Sequence, residues 1–265
     1  MLSSGGARQI ARVNPAGLGR IRIDGSGPPL VLVPGMDGTG DLFYRQVPLL
    51  ARAYRVARYR LRDDAERMDV LVDDLADVVR AVSPGGEPAV VVGESFGGAV
   101  ALSFALARPD AVAGLVVLNS FPRFLPQVRL RLAIVTLAAV PFPWQAMTII
   151  RRLTAFRLHS RYTHRREIRR FLALTAATTR RAYLARLRIL RRYDVRERLH
   201  EIRVPTLFVA SDRDHLVPAV AQARYMAERV AGAKLHVLEG HGHICLIAPN
   251  VDLAAILREW QAERA

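Results

Sequence analysis

The sequence predicts an α/β fold, a mostly parallel sheet with helices on both faces, carrying an inserted helical cap. Three observations lead there. Runs such as Leu30-Val31-Leu32-Val33 and Ala89-Val90-Val91-Val92 are apolar at every position, the pattern of strands covered on both faces. These runs alternate with helical stretches, as in a sheet whose parallel strands are joined by crossover helices. The alternation stops at Asn119 and resumes near Val204, so residues 121–200 read as an insertion between two parts of one core. A chain of 265 residues with 51% hydrophobic residues suits one large globular domain. The core is therefore assigned to 1–120 and 201–265, and the inserted, Arg-rich helical lid to 121–200.

Taken in order, Arg8–Val13 and Gly19–Asp24 read as short strands turning at Asn14-Pro15-Ala16-Gly17. The buried strand Leu30–Val33 follows and ends in the glycine-rich Pro34-Gly35-Met36-Asp37-Gly38-Thr39-Gly40. A helix is expected from there to about Ala51, then a strand near Tyr54–Leu61. Asp69–Val82 is an amphipathic helix, with Val70, Leu71, Leu75, Val78, Val79 and Val82 recurring at helical spacing. A strand from Ala89, a tight turn, a helix and the strand Gly114–Leu118 complete the first part. The second comprises a strand Thr206–Ala210, a helix Ala219–Val230, a strand Lys234–Leu238 and a closing helix Asn250–Trp260.

Net charge is +15, and its position matters more than its size. Between Phe121 and His200 stand 19 arginines and three acidic residues, Glu167, Asp194 and Glu197, while the remainder is nearly neutral. Leu132–Ile150 is nearly uncharged, but Pro141, Pro143, Trp144 and Gln145 interrupt it, which fits a pair of lid helices better than a membrane span. Arg180–Arg192 is helical. At about 100° per residue, Arg180, Arg181, Arg188, Arg191 and Arg192 share one side, with Tyr183, Leu187, Ile189 and Leu190 largely opposite. Such a face is either simply solvated or attracted to anions, whether a lipid headgroup surface or an anionic substrate carrier. No aromatic-interleaved or groove-reading motif accompanies it, so nucleic acid is not an expected partner. A single cysteine, Cys245, rules out an internal disulfide and suits a reducing cytoplasm. Residues 1–13 lack the continuous apolar run of a secretory signal, so a cytoplasmic location is expected, with peripheral membrane contact through the basic lid as an option.

The chemistry centres on Gly93-Glu94-Ser95-Phe96-Gly97, between a valine-rich strand and a helix of small apolar residues. The two glycines permit close approach of strand and helix, and the helix N-terminus behind Ser95 offers amide donors and a positive dipole end. This strand, turn and helix resemble the nucleophile elbow of the α/β-hydrolase family. The resemblance covers the chain outside the lid, and the lid itself sits where many members carry a cap. It implies that Ser95 is a nucleophile activated by a histidine and a carboxylate that follow it in chain order.

In Val209-Ala210-Ser211-Asp212-Arg213-Asp214-His215-Leu216-Val217-Pro218, two aspartates follow a late strand. The family pattern, an aspartate one variable residue before an apolar residue and Val-Pro, selects Asp214, with Asp212 as the alternative. In Glu239-Gly240-His241-Gly242-His243 the family's late Gly-His is laid on His243, because Ile244 and Pro249 follow it as the family's residues do. His241 is then expected as a neighbouring, solvent-facing loop histidine. His241 and His243 lack the third ligand that a metal requires, so no metal or other cofactor is expected. Cys245 lies in an apolar run and reads as a small buried hydrophobe. The resemblance assigns the oxyanion hole to the backbone N–H groups of Phe96 and Met36. Proline at position 34 departs from the family's usual His-Gly-X, without touching a main-chain donor. Pro34–Gly40 also resembles the loop of some bacterial hydrolases and of phytyl-ester-synthase-like acyltransferases.

The expected function is hydrolysis of a small-molecule carboxylic ester through Ser95, Asp214 and His243, by way of an acyl-enzyme. The apolar lid favours a medium or long acyl group. Acyl transfer or thioester cleavage uses the same three residues. A non-catalytic ligand- or membrane-binding protein on this fold is the alternative of another class.

Overall fold

The computed structural model describes residues 21–124, 126–139 and 158–264. Seven strands form one sheet: β1 (Arg22–Asp24), β2 (Pro29–Val33), β3 (Arg55–Arg58), β4 (Ala89–Glu94), β5 (Val112–Leu118), β6 (Thr206–Ser211) and β7 (Lys234–Leu238). Their order across the sheet is β1-β3-β2-β4-β5-β6-β7, with β1 antiparallel to β3 and every other pair parallel. The expected strand at Arg8–Val13 and the interruption at Pro141, Pro143, Trp144 and Gln145 expected between two lid helices lie outside the described residues.

The sheet's apolar strands are explained by what covers each face. Val31, Val33, Ala57, Val91, Leu115, Val117, Phe208 and Ala210 join one buried cluster with α2 (Met68–Val82) and α3 (Phe96–Ala107). The alternate residues Leu30, Leu32, Val56, Val90, Val92, Val116, Leu118, Leu207 and Val209 pack on the other face, against Cys245–Val251 and α8 (Leu253–Ala262). With a core on each side, both parities of the central strands are apolar, and buried polar residues enter only at strand ends, as at Glu94, Thr206 and Ser211.

Some helices differ in extent from the sequence expectation. Asp41–Arg45 is a 3₁₀ turn, followed only by the short α1 (Val47–Leu50), in which Pro48 stands in the first turn where its missing N–H costs nothing. The last helix begins at Leu253 because the Asp252 side chain accepts the Ala255 N–H at 3.0 Å, a cap that sets the start. Between β5 and β6 come α4 (Gln127–Ala139), α5 (Arg165–Thr175) and α6 (Arg180–Arg192), and α7 (Ala219–Ala227) follows β6. On α6, Arg181, Arg188, Arg191 and Arg192 are exposed, whereas Arg180 turns to the Leu137 carbonyl of α4, its Nε donating at 2.9 Å. No helix among the described residues is long and apolar enough to cross a membrane.

The chain steps from β2 to β3 on one side and then to β4 on the other. Between β2 and β4 the connections therefore leave in opposite directions, opening a crevice at the carboxyl ends of those strands. Pro34–Gly40 leaves β2 there, and Ser95 leaves β4.

Candidate active site

Ser95 sits at φ 54°, ψ −117°, a conformation disfavoured for any residue with a Cβ, between the end of β4 and the first residue of α3. Its neighbours hold it there. The Ser95 N–H donates to the Leu118 carbonyl at 2.8 Å, and Ser120 Oγ donates to the Ser95 carbonyl at 2.7 Å. The flanking glycines are required by contact. A Cβ on Gly93 would lie 2.3 Å from the Gly97 carbonyl oxygen, and one on Gly97 would lie 2.2 Å from that of Val33. Strand, turn and helix thus approach more closely than any side chain permits.

Two distant loops bring their side chains to this turn. His243 Nε2 stands 3.0 Å from Ser95 Oγ, and His243 Nδ1 stands 2.7 Å from Asp214 Oδ2. With a proton on Nδ1 donated to the carboxylate, Nε2 is free to accept from the serine hydroxyl. Asp214 is oriented in turn, since Oδ1 accepts from the N–H groups of Leu216 and Val217 at 2.9 and 3.0 Å, and its side chain is wholly buried. Asp212 occupies the same loop but points elsewhere, its Oδ1 accepting from the Gly240 N–H at 2.7 Å. Ser95, Asp214 and His243 are therefore the three brought together, and Asp212 braces the loop that carries the histidine.

His241 departs from its expected position in solvent. It is buried, with Nδ1 2.8 Å from Ser160 Oγ and Nε2 3.3 Å from Asn250 Nδ2, because the inserted segment closes over it. Burial lowers its pKa below the ordinary histidine value. Cys245 is fully buried, and burial pushes its thiol up to about 12, so it is no thiolate. Among the described residues, no group of three His, Cys, Asp or Glu side chains is placed to hold a metal ion.

Phe96 opens α3, so its N–H is one of the amides that no residue of the helix accepts. Across the crevice, Gly35 comes so near that a Cβ there would lie 3.6 Å from the Ser95 Cβ, which puts Met36 beside the serine. The loop after Gly35 is tightly tied. Gly38 N–H donates to the Gly35 carbonyl at 3.0 Å, and Asp37 Oδ2 accepts from the Thr39 N–H and hydroxyl at 2.8 and 2.6 Å.

Three residues beyond those expected shape the site. Arg186 of α6 is buried and donates through Nη1 to the carbonyls of Met36 (2.9 Å) and Asp37 (3.2 Å), while Nη2 pairs with Asp63 at 3.3 Å. Its signal was present: at 100° per residue it falls on the face of Tyr183 and Leu190, away from the other arginines. Asn119, at φ 42°, donates to the His243 carbonyl at 2.8 Å and to Ser211 Oγ at 3.0 Å, and accepts from the Ser211 N–H at 2.8 Å. As the polar residue ending an apolar strand at the sheet's carboxyl edge, it was the one to single out. Glu94 is buried, and burial drives its carboxyl up to about 7, with Asp37 and Asp214 raising it further and His243 lowering it.

Comparison with known proteins agrees with this architecture. The model of the alpha/beta hydrolase family matches residues 30–256. The chain is 29% identical over 262 residues to a Caulobacter sp. (strain K31) protein named as a carbamate hydrolase, RutD, covering 89% of this chain and 91% of that one. It is 30% identical over 250 residues to a pimeloyl-(acyl-carrier protein) methyl ester esterase of Stenotrophomonas maltophilia (strain R551-3), covering 91% and 96%. Among solved structures, a hydrolase from Pseudomonas aeruginosa superposes with a TM-score of 0.78 at 22% identity over 98% of each chain. An enol-lactonase from Burkholderia xenovorans does so with 0.77 at 20% identity over 96% of this chain and 100% of its own.

Proposed function

Because this chain belongs to the alpha/beta hydrolase family, we propose that it is a serine hydrolase of carboxylic esters with Ser95 as nucleophile. The observation that carries the proposal is the continuous hydrogen-bonded line from Ser95 Oγ through His243 to Asp214, at a strained strand-to-helix turn. In this mechanism His243 Nε2 takes the hydroxyl proton as Ser95 Oγ attacks the ester carbonyl. The Asp214 carboxylate holds Nδ1–H and offsets the imidazolium charge. Negative charge gathers on the carbonyl oxygen, and the N–H groups of Met36 and Phe96 are the donors for it. His243 then protonates the departing alkoxide, leaving an acyl group on Ser95. Water, deprotonated by the same histidine, releases the acid and restores the serine.

The inserted segment 121–200 serves in this reading as the lid that shapes the substrate site. Its support is the way α6 reaches the loop after β2 through Arg186, and the row of exposed apolar side chains Val128, Leu132 and Val135 on α4. That row suits an acyl chain or a peripheral membrane contact, and the exposed arginines of α6 suit an anionic surface or carrier beside it. The methyl ester esterase relative, whose name places its substrate on an acyl carrier protein, supports ester cleavage for this chain, and the equally similar carbamate hydrolase makes a carbamate the competing substrate class. Hydrolysis of a p-nitrophenyl ester series, with products identified in the presence and absence of an alcohol acceptor, tests the proposal. Free acid as the sole acyl product is expected, and an acylated alcohol as the main product would reassign the enzyme as an acyltransferase.

A further inference from the structure

Beside the catalytic loops lies an open cleft of about 540 Å³, the size of a small-molecule site, that the mechanism above leaves unused. One wall is the loop after β6, contributing Arg213 and His215, the latter next in sequence to Asp214. Gly240, from the loop that carries His243, contributes a second wall. The third comes from the inserted segment, with His159, Arg161 and Arg165. The segment is joined to the catalytic loop directly, for His159 pairs with Ile244 in an isolated parallel bridge and the Ile244 N–H donates to the Leu158 carbonyl at 2.8 Å. The cleft therefore abuts the backbone that holds His243.

Its chemistry is one-sided. Among the described residues no carboxylate lines it, and at its rim Arg213 Nε lies 3.9 Å from Asp212. At that distance, with Arg213 largely exposed, the pair is weak. His159 adds an independent observation. It is buried, its ring meets the Phe171 ring edge-on at 5.0 Å, and neither of its nitrogens has a hydrogen-bond partner among the described residues. A buried imidazole without a partner is costly, and burial accordingly drives its pKa down to about 4. Both nitrogens are shut off from solvent, so the charge that faces the opening is that of the arginines.

We infer that the cleft between His159, Arg161, Arg165 and Arg213 binds a phosphate group carried by a soluble ester substrate. Three arginines, Arg161, Arg165 and Arg213, on the walls of one cleft suit a tetrahedral dianion, whose oxygens accept several forked N–H donors at once. The position next to Asp214 and His243 lets a phosphate bound there tether a substrate whose ester extends toward Ser95. The identity of the substrate rests on the function proposed above, but the phosphate site itself does not.

The test uses the full chain carrying Ser95→Ala, so that binding is read without turnover. Calorimetric titration with inorganic phosphate and with phenyl phosphate should give saturable binding, weakened at least tenfold by the added pair Arg161→Gln and Arg213→Gln. The pair Arg181→Gln and Arg188→Gln, on the exposed face of α6, should leave it unchanged. Absence of saturable binding at millimolar phosphate, or equal loss in both pairs, overturns the site, with circular dichroism showing that each variant is folded. In the active chain, an ester bearing a phosphate should exceed its hydroxyl counterpart in kcat/KM, and the cleft pair should bring that ratio toward one. Phosphate binding without such a preference overturns the assignment to a substrate. Co-sedimentation with phosphatidic acid vesicles that the cleft pair abolishes, and that outcompetes phenyl phosphate, overturns it in favour of a lipid headgroup. Failure of every ester to turn over would reject the proposed hydrolase activity while the titration still decides the phosphate site.

Discussion

Replacing Arg186 by methionine keeps the length of the side chain and removes its charge and all of its donors. Asp63 retains Arg60 at 3.2 Å, and the Asp37 carbonyl retains Thr178 Oγ1 at 2.8 Å. The Met36 carbonyl, which takes its bond from Arg186 at 2.9 Å, is the group most exposed to the loss. An unsatisfied buried acceptor costs about 1–3 kcal/mol. The result should fall toward the lower end, because desolvation, which also depresses the Arg186 pKa, already offsets part of what the guanidinium contributes. Catalysis should suffer more than stability. The Met36 N–H is the second proposed oxyanion donor, and losing one such donor costs about 10²–10³ in kcat. Steady-state kinetics should therefore show kcat down about a hundredfold with KM changed much less, while the chain remains folded by circular dichroism. Arg186→Lys should not restore the rate, since one ammonium cannot fork across two adjacent carbonyls. A folded Arg186→Met protein with kcat within about threefold of the native chain would refute the idea that α6 holds this loop in register.

Glu94→Gln should change the pH dependence of stability. The unfolded carboxyl ionises near 4.5 and the folded one near 7, so the folded state holds the extra proton between those values and stability falls as pH rises through that window. The fall is about 3 kcal/mol at about 1.4 kcal/mol per unit, and urea denaturation at several pH values should find it in the native chain and not in the glutamine variant. Gly97→Ala drives a Cβ to 2.2 Å from the Val33 oxygen and 2.7 Å from that of Pro34. It should destabilise by at least the 1–3 kcal/mol typical of overpacking, visible as a lower thermal midpoint, together with lost activity. Asn119→Ala frees the His243 carbonyl and the Ser211 N–H, and should lower kcat more than it raises KM, since Asn119 is buried and acts through the backbone that carries His243.

What was legible in the sequence was what is written in consecutive residues. The apolar strands follow from a sheet covered on both faces, and the turn at Ser95 from two glycines whose missing Cβ atoms leave room for Val33 and Gly97. Asp214 and Asp212 were separable only by family pattern, because both stand in one short loop and their difference is the direction each side chain takes. The structure shows the cause: Asp212 is engaged by the Gly240 N–H, whereas Asp214 is turned inward by the Leu216 and Val217 amides. Local sequence does not place His241, because its partner Ser160 lies 81 residues away in the inserted segment. Arg186 shows a different kind of limit. Its helical phase set it among apolar residues, but a segment so rich in arginine invites a reading by total charge, and the carbonyls that satisfy it lie 149 and 150 residues distant. Asn119 likewise bonds to residues 92 and 124 positions ahead.

The central claim is that Ser95 is the nucleophile, raised to that role by His243 and Asp214. Treatment with a fluorophosphonate, followed by mass spectrometry of the digested chain, tests it directly. A single phosphonyl adduct on the peptide bearing Ser95, slowed strongly by Asp214→Asn and absent from Ser95→Ala, is the predicted result. An adduct on another residue, or undiminished labelling of the Ser95→Ala chain, would contradict it.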